Sequence, residues 1–159
     1  LALSSVPGAH GLTLLPYFEG ERTPNRPNAT GVFSGMNIAN SNPADIARAM
    51  IEGMLSGLAD AVAALEDLGV DIKRVLIIGG AAKNPAVGQI ASALFGRPVL
   101  IPPAGEYVAD GAAKQAAWAL LRGDTPPVWD LGKAMHIEAA ATPAVLEKYR
   151  TLRDATVNW

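Results

Sequence analysis

The segment 75–121 alternates short apolar runs with helical stretches, and this order constrains the fold more than any other feature. A β-branched run at 75–78 leads into Gly79 and Gly80, and Asn84 and Pro85 begin a predicted helix that continues to about residue 95. A second apolar run at 99–101 precedes a helix predicted over 107–121. Apolar runs this short are typical of parallel strands buried on both faces. The order strand, helix, strand, helix therefore predicts an α/β layer architecture.

The chain before this segment is rich in turns and ends in one long helix. Strands are predicted at 12–18, where Pro16 indicates an edge position, and at 31–36, with a loop over 20–31 between them. Asn42, Pro43 and Asp45 are typical of a helix start, and Gly69 of a helix end, so we predict a helix over 43–68. Its apolar residues recur every three or four positions and form one stripe: Ile46, Met50, Met54, Leu58, Val62 and Leu65. A final helix is predicted over 143–157.

Composition excludes several classes of protein. The 159 residues are 50% hydrophobic and 18% charged, which is incompatible with a disordered chain. The formal net charge is -2 without a basic cluster, which argues against a nucleic-acid surface. No apolar run has the roughly 18–20 residues that a membrane span needs. The absence of cysteine fits a cytoplasmic setting, and the start without Met or a basic leader suggests a fragment or a processed product.

The run VLIIGGAAKNP at 75–85 is the most informative candidate site. Glycine permits a ligand to approach the backbone closely, and a helix N-terminus presents free N–H groups to an anion. No Gly-Lys-Ser/Thr follows, so this is not a P-loop, and the third glycine of a dinucleotide fingerprint is missing. From the residues alone, a ligand site and a simple tight connection remain about equally supported.

Other polar residues have two interpretations each. Asn84 serves either as the helix cap or as an amide that contacts a purine edge. Lys83 either contacts phosphate or is solvated. His10 and His136 lack ligand spacing, and a local network of Glu19, Glu21 and Arg22 is the simplest interpretation of that charged group. Asp60, Asp67 and Asp71 are expected to be solvated charges.

Three longer motifs resemble one family. PYFEGERTPNRPNATGVFSGM at 16–36 is similar to the conserved loop of the FGGY carbohydrate kinases, especially those acting on xylulose, with Ala29-Thr30-Gly31 in place of the commoner Ala-Arg-Gly. VLIIGGAAKNPAVGQIASALFGRPV at 75–99 resembles the family's adenosine motif, although Ala81 stands where a third glycine is usual. GEYVADGAAKQAAW at 105–118 resembles the segment that follows. The resemblance covers essentially the whole chain in the family's order.

This resemblance implies an actin-like, ribonuclease H-like fold in which two α/β domains enclose an ATP cleft. Residues 1–159 would form most of the C-terminal domain, the nucleotide-binding half. The main chain of Gly80 and Ala81 would approach the nucleotide, Gly79 would shape the turn, and Asn84 would contact adenine. ATP with Mg²⁺ is the implied cofactor, with Mg²⁺ ligands that this chain does not reveal. The catalytic and sugar-binding residues would belong to an N-terminal domain absent from this chain.

The implied activity is phosphorylation of D-xylulose to D-xylulose 5-phosphate. The alternatives are another kinase of the family, acting on gluconate, ribulose or glycerol, and a non-catalytic α/β interaction module. The partners expected are ATP, the sugar and the remaining domain of the same protein, with no nucleic acid or membrane. A homodimer is compatible with the sequence, and the isolated chain is expected to self-associate and to be inactive alone.

Overall fold

The computed structural model describes residues 1–130 and 132–157, and they form two small sheets surrounded by four α-helices. In chain order, the strands and helices are β1 (Thr13–Leu15), β2 (Val32–Ser34), α1 (Pro43–Asp67), β3 (Val75–Leu76), α2 (Pro85–Phe95), β4 (Val99–Ile101), α3 (Tyr107–Leu121), β5 (Met135–Ile137) and α4 (Pro143–Ala155). The described helices and strands thus confirm the predicted α/β class and the predicted order of elements from 75 to 121.

Helix α1 begins and ends where the sequence predicts. The Asn42 side-chain oxygen accepts hydrogen bonds from the backbone N–H groups of Ala44 and Asp45, both at 3.1 Å. Pro43 occupies the first helical position, where its missing N–H costs nothing. Gly69 follows with φ of +83°, the left-handed conformation that ends many helices and that glycine adopts without strain.

The apolar stripe of α1 does not mark the face that the helix buries. Met50, Met54 and Leu58 are 48%, 42% and 55% exposed. The buried face is instead lined by Asp45, Arg48, Ala49, Glu52, Gly53, Leu55, Ser56 and Ala59. The charged residues Asp45, Arg48 and Glu52 of this face bond to Ser5 and Gly8 in the N-terminal segment, so they need not face solvent. The apolar stripe of this helix is thus largely exposed, and its packed face is a mixed polar and apolar one.

The first sheet is an antiparallel pair, β1 and β2, in which Leu14 lies opposite Phe33. Strand β1 is shorter than the predicted 12–18 because Pro16 has no N–H to donate to a ladder. Leu14 and Leu15 are both buried, and β1 packs against α1 and α4. The two helices thus hold the short strand β1 in place.

The second sheet has the order β3-β4-β5, with β3 parallel to β4 and β5 antiparallel to it. The sequence predicted the parallel pair joined by a helix, but not β5. The prediction that the run at 75–78 is buried on both faces was wrong, since Leu76 and Ile78 are 42% and 47% exposed. Among the described residues no strand pairs with the outer edge of β3.

The largest core cluster lies between α1 and α2. Leu55 of α1 packs with Val87, Ile90 and Leu94 of α2, and Val99 of β4 closes the cluster. Helix α4 covers β1 through Tyr149 and Leu152. The core thus connects both sheets through three of the four helices. None of the described helices combines the length and the apolar composition that crossing a bilayer requires.

Candidate functional site

The connection between β3 and α2 is a tight turn that opens onto solvent. Gly79 has φ of +92°, a backbone conformation that is strained for residues with a side chain. A 3-10 turn over Gly80–Lys83 follows. A Cβ atom built at Gly79 or Gly80 would have nothing within 4 Å. The glycines are therefore not required by packing inside the protein, and the space beside them is free for another molecule.

This turn forms one wall of an open cleft with a volume of about 630 Å³. The opposite wall is the segment between β4 and α3. Lys133, which precedes β5, and Met135, the first residue of β5, also line the cleft. Two lysines and one carboxylate, Glu106, contribute charged side chains to its lining. The lining residues are Ile78, Gly79, Gly80, Ala82, Lys83, Ile101, Pro102, Pro103, Ala104, Gly105, Glu106, Tyr107, Lys133 and Met135.

The structure separates the four predicted nucleotide-binding residues into two pairs. Gly79 and Gly80 line the cleft, whereas Ala81 and Asn84 do not, although all four are exposed. The Asn84 side-chain oxygen accepts the backbone N–H of Ala86 at 3.1 Å, so its role as the cap of α2 is confirmed. A contact of Asn84 with adenine stays a prediction.

Sequence reasoning missed the opposite wall of the cleft. Strands β3 and β4 are parallel, so their carboxyl ends lie at the same edge of the sheet, where ligands bind in open α/β folds. That rule places the segment 102–107, which follows β4, beside the Gly79–Gly80 turn. Tyr107 donates its hydroxyl proton to the Pro103 carbonyl and thereby closes this segment on itself. Lys133 had no comparable signal, because the short strand β5 was not predicted.

Neither His10 nor His136 lines the cleft, and Glu106 is the carboxylate in its described lining. His10 pairs with Asp45, with 2.9 Å between Nδ1 and Oδ1, and neither residue lines the cleft. Hydrogen bonds from Ser5 and His10 lower the pKa of Asp45. In the part of the chain that the structure describes, no three His, Cys, Asp or Glu side chains converge as metal ligands would.

Two predictions about charged groups have different outcomes. Glu21 does form a local turn network, since its carboxylate accepts the backbone N–H groups of Arg22 and Thr23 at 2.7 and 3.0 Å. The prediction for Asp60 was wrong, because it is paired rather than solvated. It accepts hydrogen bonds from Arg150 at 2.6 Å and from Arg153 at 2.5 Å, which attaches α4 to α1.

Comparison with known proteins identifies the family. The model of the FGGY family of carbohydrate kinases, C-terminal domain, matches residues 1–120. The chain belongs to the FGGY carbohydrate kinases. It is 37% identical over 142 residues to the xylulose kinase of Streptomyces rubiginosus, covering 89% of this chain and 28% of that protein. It is 38% identical over 124 residues to a glycerol kinase of Alkalilimnicola ehrlichii, covering 76% of this chain and 25% of that protein.

The crystal structure of the xylulose kinase from Bifidobacterium adolescentis has the same fold as this FGGY chain. It superposes with a TM-score of 0.80 at 47% sequence identity, over 96% of this chain and 30% of that structure. The predicted actin-like architecture is confirmed by this likeness. The chain spans under a third of the length of these relatives.

Proposed function

We propose that residues 1–159 are most of the C-terminal domain of a kinase that transfers a phosphoryl group from ATP to D-xylulose. The observation that best supports this proposal is the position of the Gly79–Gly80 turn. In this chain of the FGGY family, the turn opens onto a cleft at the carboxyl ends of two parallel strands. The catalytic and sugar-binding residues would come from an N-terminal domain of the same protein. The product would be D-xylulose 5-phosphate, made in the cytoplasm where ATP is available.

The residues of the cleft and of the turn beside it fit a nucleotide. Gly79 and Gly80 leave the backbone accessible, since added Cβ atoms would meet nothing within 4 Å. We assign to Gly80 and Ala81 the close main-chain approach and to Gly79 the turn that permits it. Asn84 uses its oxygen to cap α2, so its Nδ2 group is the part that would contact adenine.

Charge in the cleft also suits a polyphosphate. Lys83 and Lys133 both line it against the single carboxylate of Glu106, which leaves an excess positive charge. Lysine ammonium groups bind phosphate as mobile point charges, so the two side chains would hold and orient the phosphate chain. ATP, when bound, supplies the phosphoryl group.

Mg²⁺ accompanies ATP in this proposal, but these residues do not fit a site of their own for it. The described residues bring together no group of three side chains that could hold the ion. The ligands of Mg²⁺ would be nucleotide phosphates and groups outside this chain.

The nucleotide role is tested by Gly80→Val in the full-length protein, with coupled ADP release and D-xylulose as substrate. A β-branched side chain would fill the space beside the turn, so the KM for ATP should rise at least tenfold while the KM for D-xylulose changes little. Gly111→Val is the matched control, because a Cβ atom there also meets nothing within 4 Å but Gly111 lies outside the cleft lining. Equal loss of both substrates would contradict the proposal.

A second kinase activity is favoured by the 38% identity to a glycerol kinase. Comparison of kcat/KM for D-xylulose, glycerol, ribulose and gluconate in the full-length protein decides between them. The largest value should belong to D-xylulose. The 159-residue chain alone should show no sugar-dependent ADP release, because phosphoryl transfer needs a positioned base and a closed cleft. Absence of any kinase activity in the full-length protein would favour the non-catalytic module.

A further inference from the structure

Helix α1 carries a second apolar face that the described residues leave exposed. Its packed face includes Ala49, which is 1% exposed. On the other side, Met50, Met54 and Leu58 are 48%, 42% and 55% exposed, and Leu65 extends this row at 47%. We call these four residues the α1 stripe, which is about 22 Å long. A surface helix normally turns polar residues to water, so an apolar face of this length indicates that α1 is covered on this side too.

The outer edge of β3 offers backbone groups for hydrogen bonding. The N–H of Ile77 donates to the Leu100 carbonyl of β4 at 2.9 Å. Because the N–H groups of successive residues in a strand point to opposite sides, those of Leu76 and Ile78 point to the outer edge. The part of the chain that the structure describes places no partner strand there. An edge of this kind is a template for pairing with another strand.

The α1 stripe and the outer edge of β3 border the same core cluster, the one between α1 and α2. Ile51, which follows Met50 on α1, packs against this cluster, and so does Ile77, which follows β3. Helix α2 packs against β4 and β5, and α1 packs beside α2. Because helices that cover a sheet lie side by side over successive strands, a strand added outside β3 would lie next to α1. One additional segment of chain would therefore satisfy the β3 edge and cover the α1 stripe.

The size of the related proteins indicates which molecule covers this surface. A solved xylulose kinase superposes on 96% of this chain, but the match covers 30% of that structure. Most of such a polypeptide thus lies outside the segment that corresponds to residues 1–159. We propose that another part of the same kinase chain adds a strand to the outer edge of β3 and packs on the α1 stripe. The proposal rests on the proposed function, since it treats residues 1–159 as part of a longer kinase, and it assigns the surface where the remainder docks.

Peroxide oxidation of methionine in the full-length protein, followed by mass spectrometry, tests the cover on the α1 stripe. Met36 is the matched control, because its exposed fraction of 50% is close to the 48% of Met50 and the 42% of Met54. Met50 and Met54 should oxidise at least about tenfold more slowly than Met36, since covered side chains react only after local opening. Equal rates at the three residues would overturn the proposal.

Amide hydrogen exchange in the same protein tests the added strand. The Ile77 amide, which is bonded to β4, is the internal reference. The amides of Leu76 and Ile78 should exchange as slowly as that of Ile77, because each would be bonded to the added strand. Rapid exchange at Leu76 and Ile78 beside a protected Ile77 would overturn the pairing.

A second copy of the chain is the competing occupant, and dilution separates the two. Protection from within one kinase chain stays constant when the protein is diluted to a monomer, as verified by light scattering. Protection that disappears on dilution would overturn the proposal in favour of a dimer. Coupled ADP release on the same preparation separates this proposal from the proposed function. An active kinase with rapidly oxidised Met50 and Met54 refutes the docking alone, whereas an inactive protein with both residues protected refutes the kinase alone.

Discussion

Gly53 and Gly80 lie in two regions of the molecule that differ in packing: the first is tightly packed and the second is open to solvent. A Cβ atom at Gly53 would lie 2.5 Å from the Leu14 carbonyl oxygen, whereas one at Gly80 would have nothing within 4 Å. Helix α1, which carries Gly53, is in contact with β1, α2 and α4. Around Gly80, the cleft is open, and α3 beyond it has no buried residue. We call the first the closed region, because its neighbours leave no room for a Cβ atom at Gly53, and the second the open region, because the space beside Gly80 is free for a ligand.

The buried ion pair of the closed region should give the largest effect. Arg48→Met leaves Glu52 without its charged partner at 5% exposure, and an uncompensated buried charge costs about 3–5 kcal/mol. We expect a loss of this size in the free energy of unfolding, measured by urea denaturation. The control is Asp71→Asn, which breaks the ion pair between Asp71 and Lys73, two side chains that are 73% and 78% exposed. This variant should change the free energy of unfolding by less than about 1 kcal/mol. Equal losses from both variants would contradict the contrast between buried and exposed pairs.

The two glycines provide the most direct test of the comparison. Gly53→Ala should lower the free energy of unfolding by about 1–3 kcal/mol, because the methyl group enters space occupied by the Leu14 backbone. Gly80→Ala should change it by less than about 0.5 kcal/mol, since the added atom meets solvent. Thermal and urea denaturation of both variants measure the difference. If Gly80→Ala proves as destabilising as Gly53→Ala, the cleft is filled from within the protein.

Acid should weaken the closed region first. Hydrogen bonds from Ser5 and His10 lower the pKa of Asp45 below its ordinary value in the folded protein. Stability from this carboxylate is therefore fully present above the unfolded pKa, near 3.9, and is lost as pH falls through the lower folded pKa. Asp45→Asn should remove that part of the pH dependence and lower stability at neutral pH. Identical acid unfolding profiles for the wild type and the variant would refute this role for Asp45.

The smallest effect is expected in the open region. Lys133→Met removes one of two lysines from the cleft, and a single solvent-exposed charge contact is worth about 0.2–1 kcal/mol. The KM for ATP should rise by about twofold to fivefold, more at low than at high salt, with the thermal stability unchanged. Lys114→Met, on α3 outside the cleft lining, is the control and should leave the KM unchanged. If Lys133→Met has the same KM for ATP as the wild type, Lys133 is not part of the proposed site.

The sequence by itself determined the local structure of this protein. The cap at Asn42, the proline at position 43 and the glycine at 69 fixed α1, because these residues act through their own backbone and nearest neighbours. Asn84 and Gly96 fixed α2 in the same way. The alternation from 75 to 121 gave the α/β class, and the motif VLIIGGAAKNP pointed to the turn that borders the cleft.

The tertiary structure alone decided which faces are buried and which distant segments meet. Periodicity placed the apolar face of α1 on Met50 and Met54, yet the helix buries Arg48 and Glu52 instead, because Ser5 and Gly8 supply hydrogen bonds from more than 40 positions away. Lys133 joins the cleft only because β5 pairs with β4. Such contacts depend on how segments remote in sequence pack and satisfy each other's polar groups, and no local pattern encodes that.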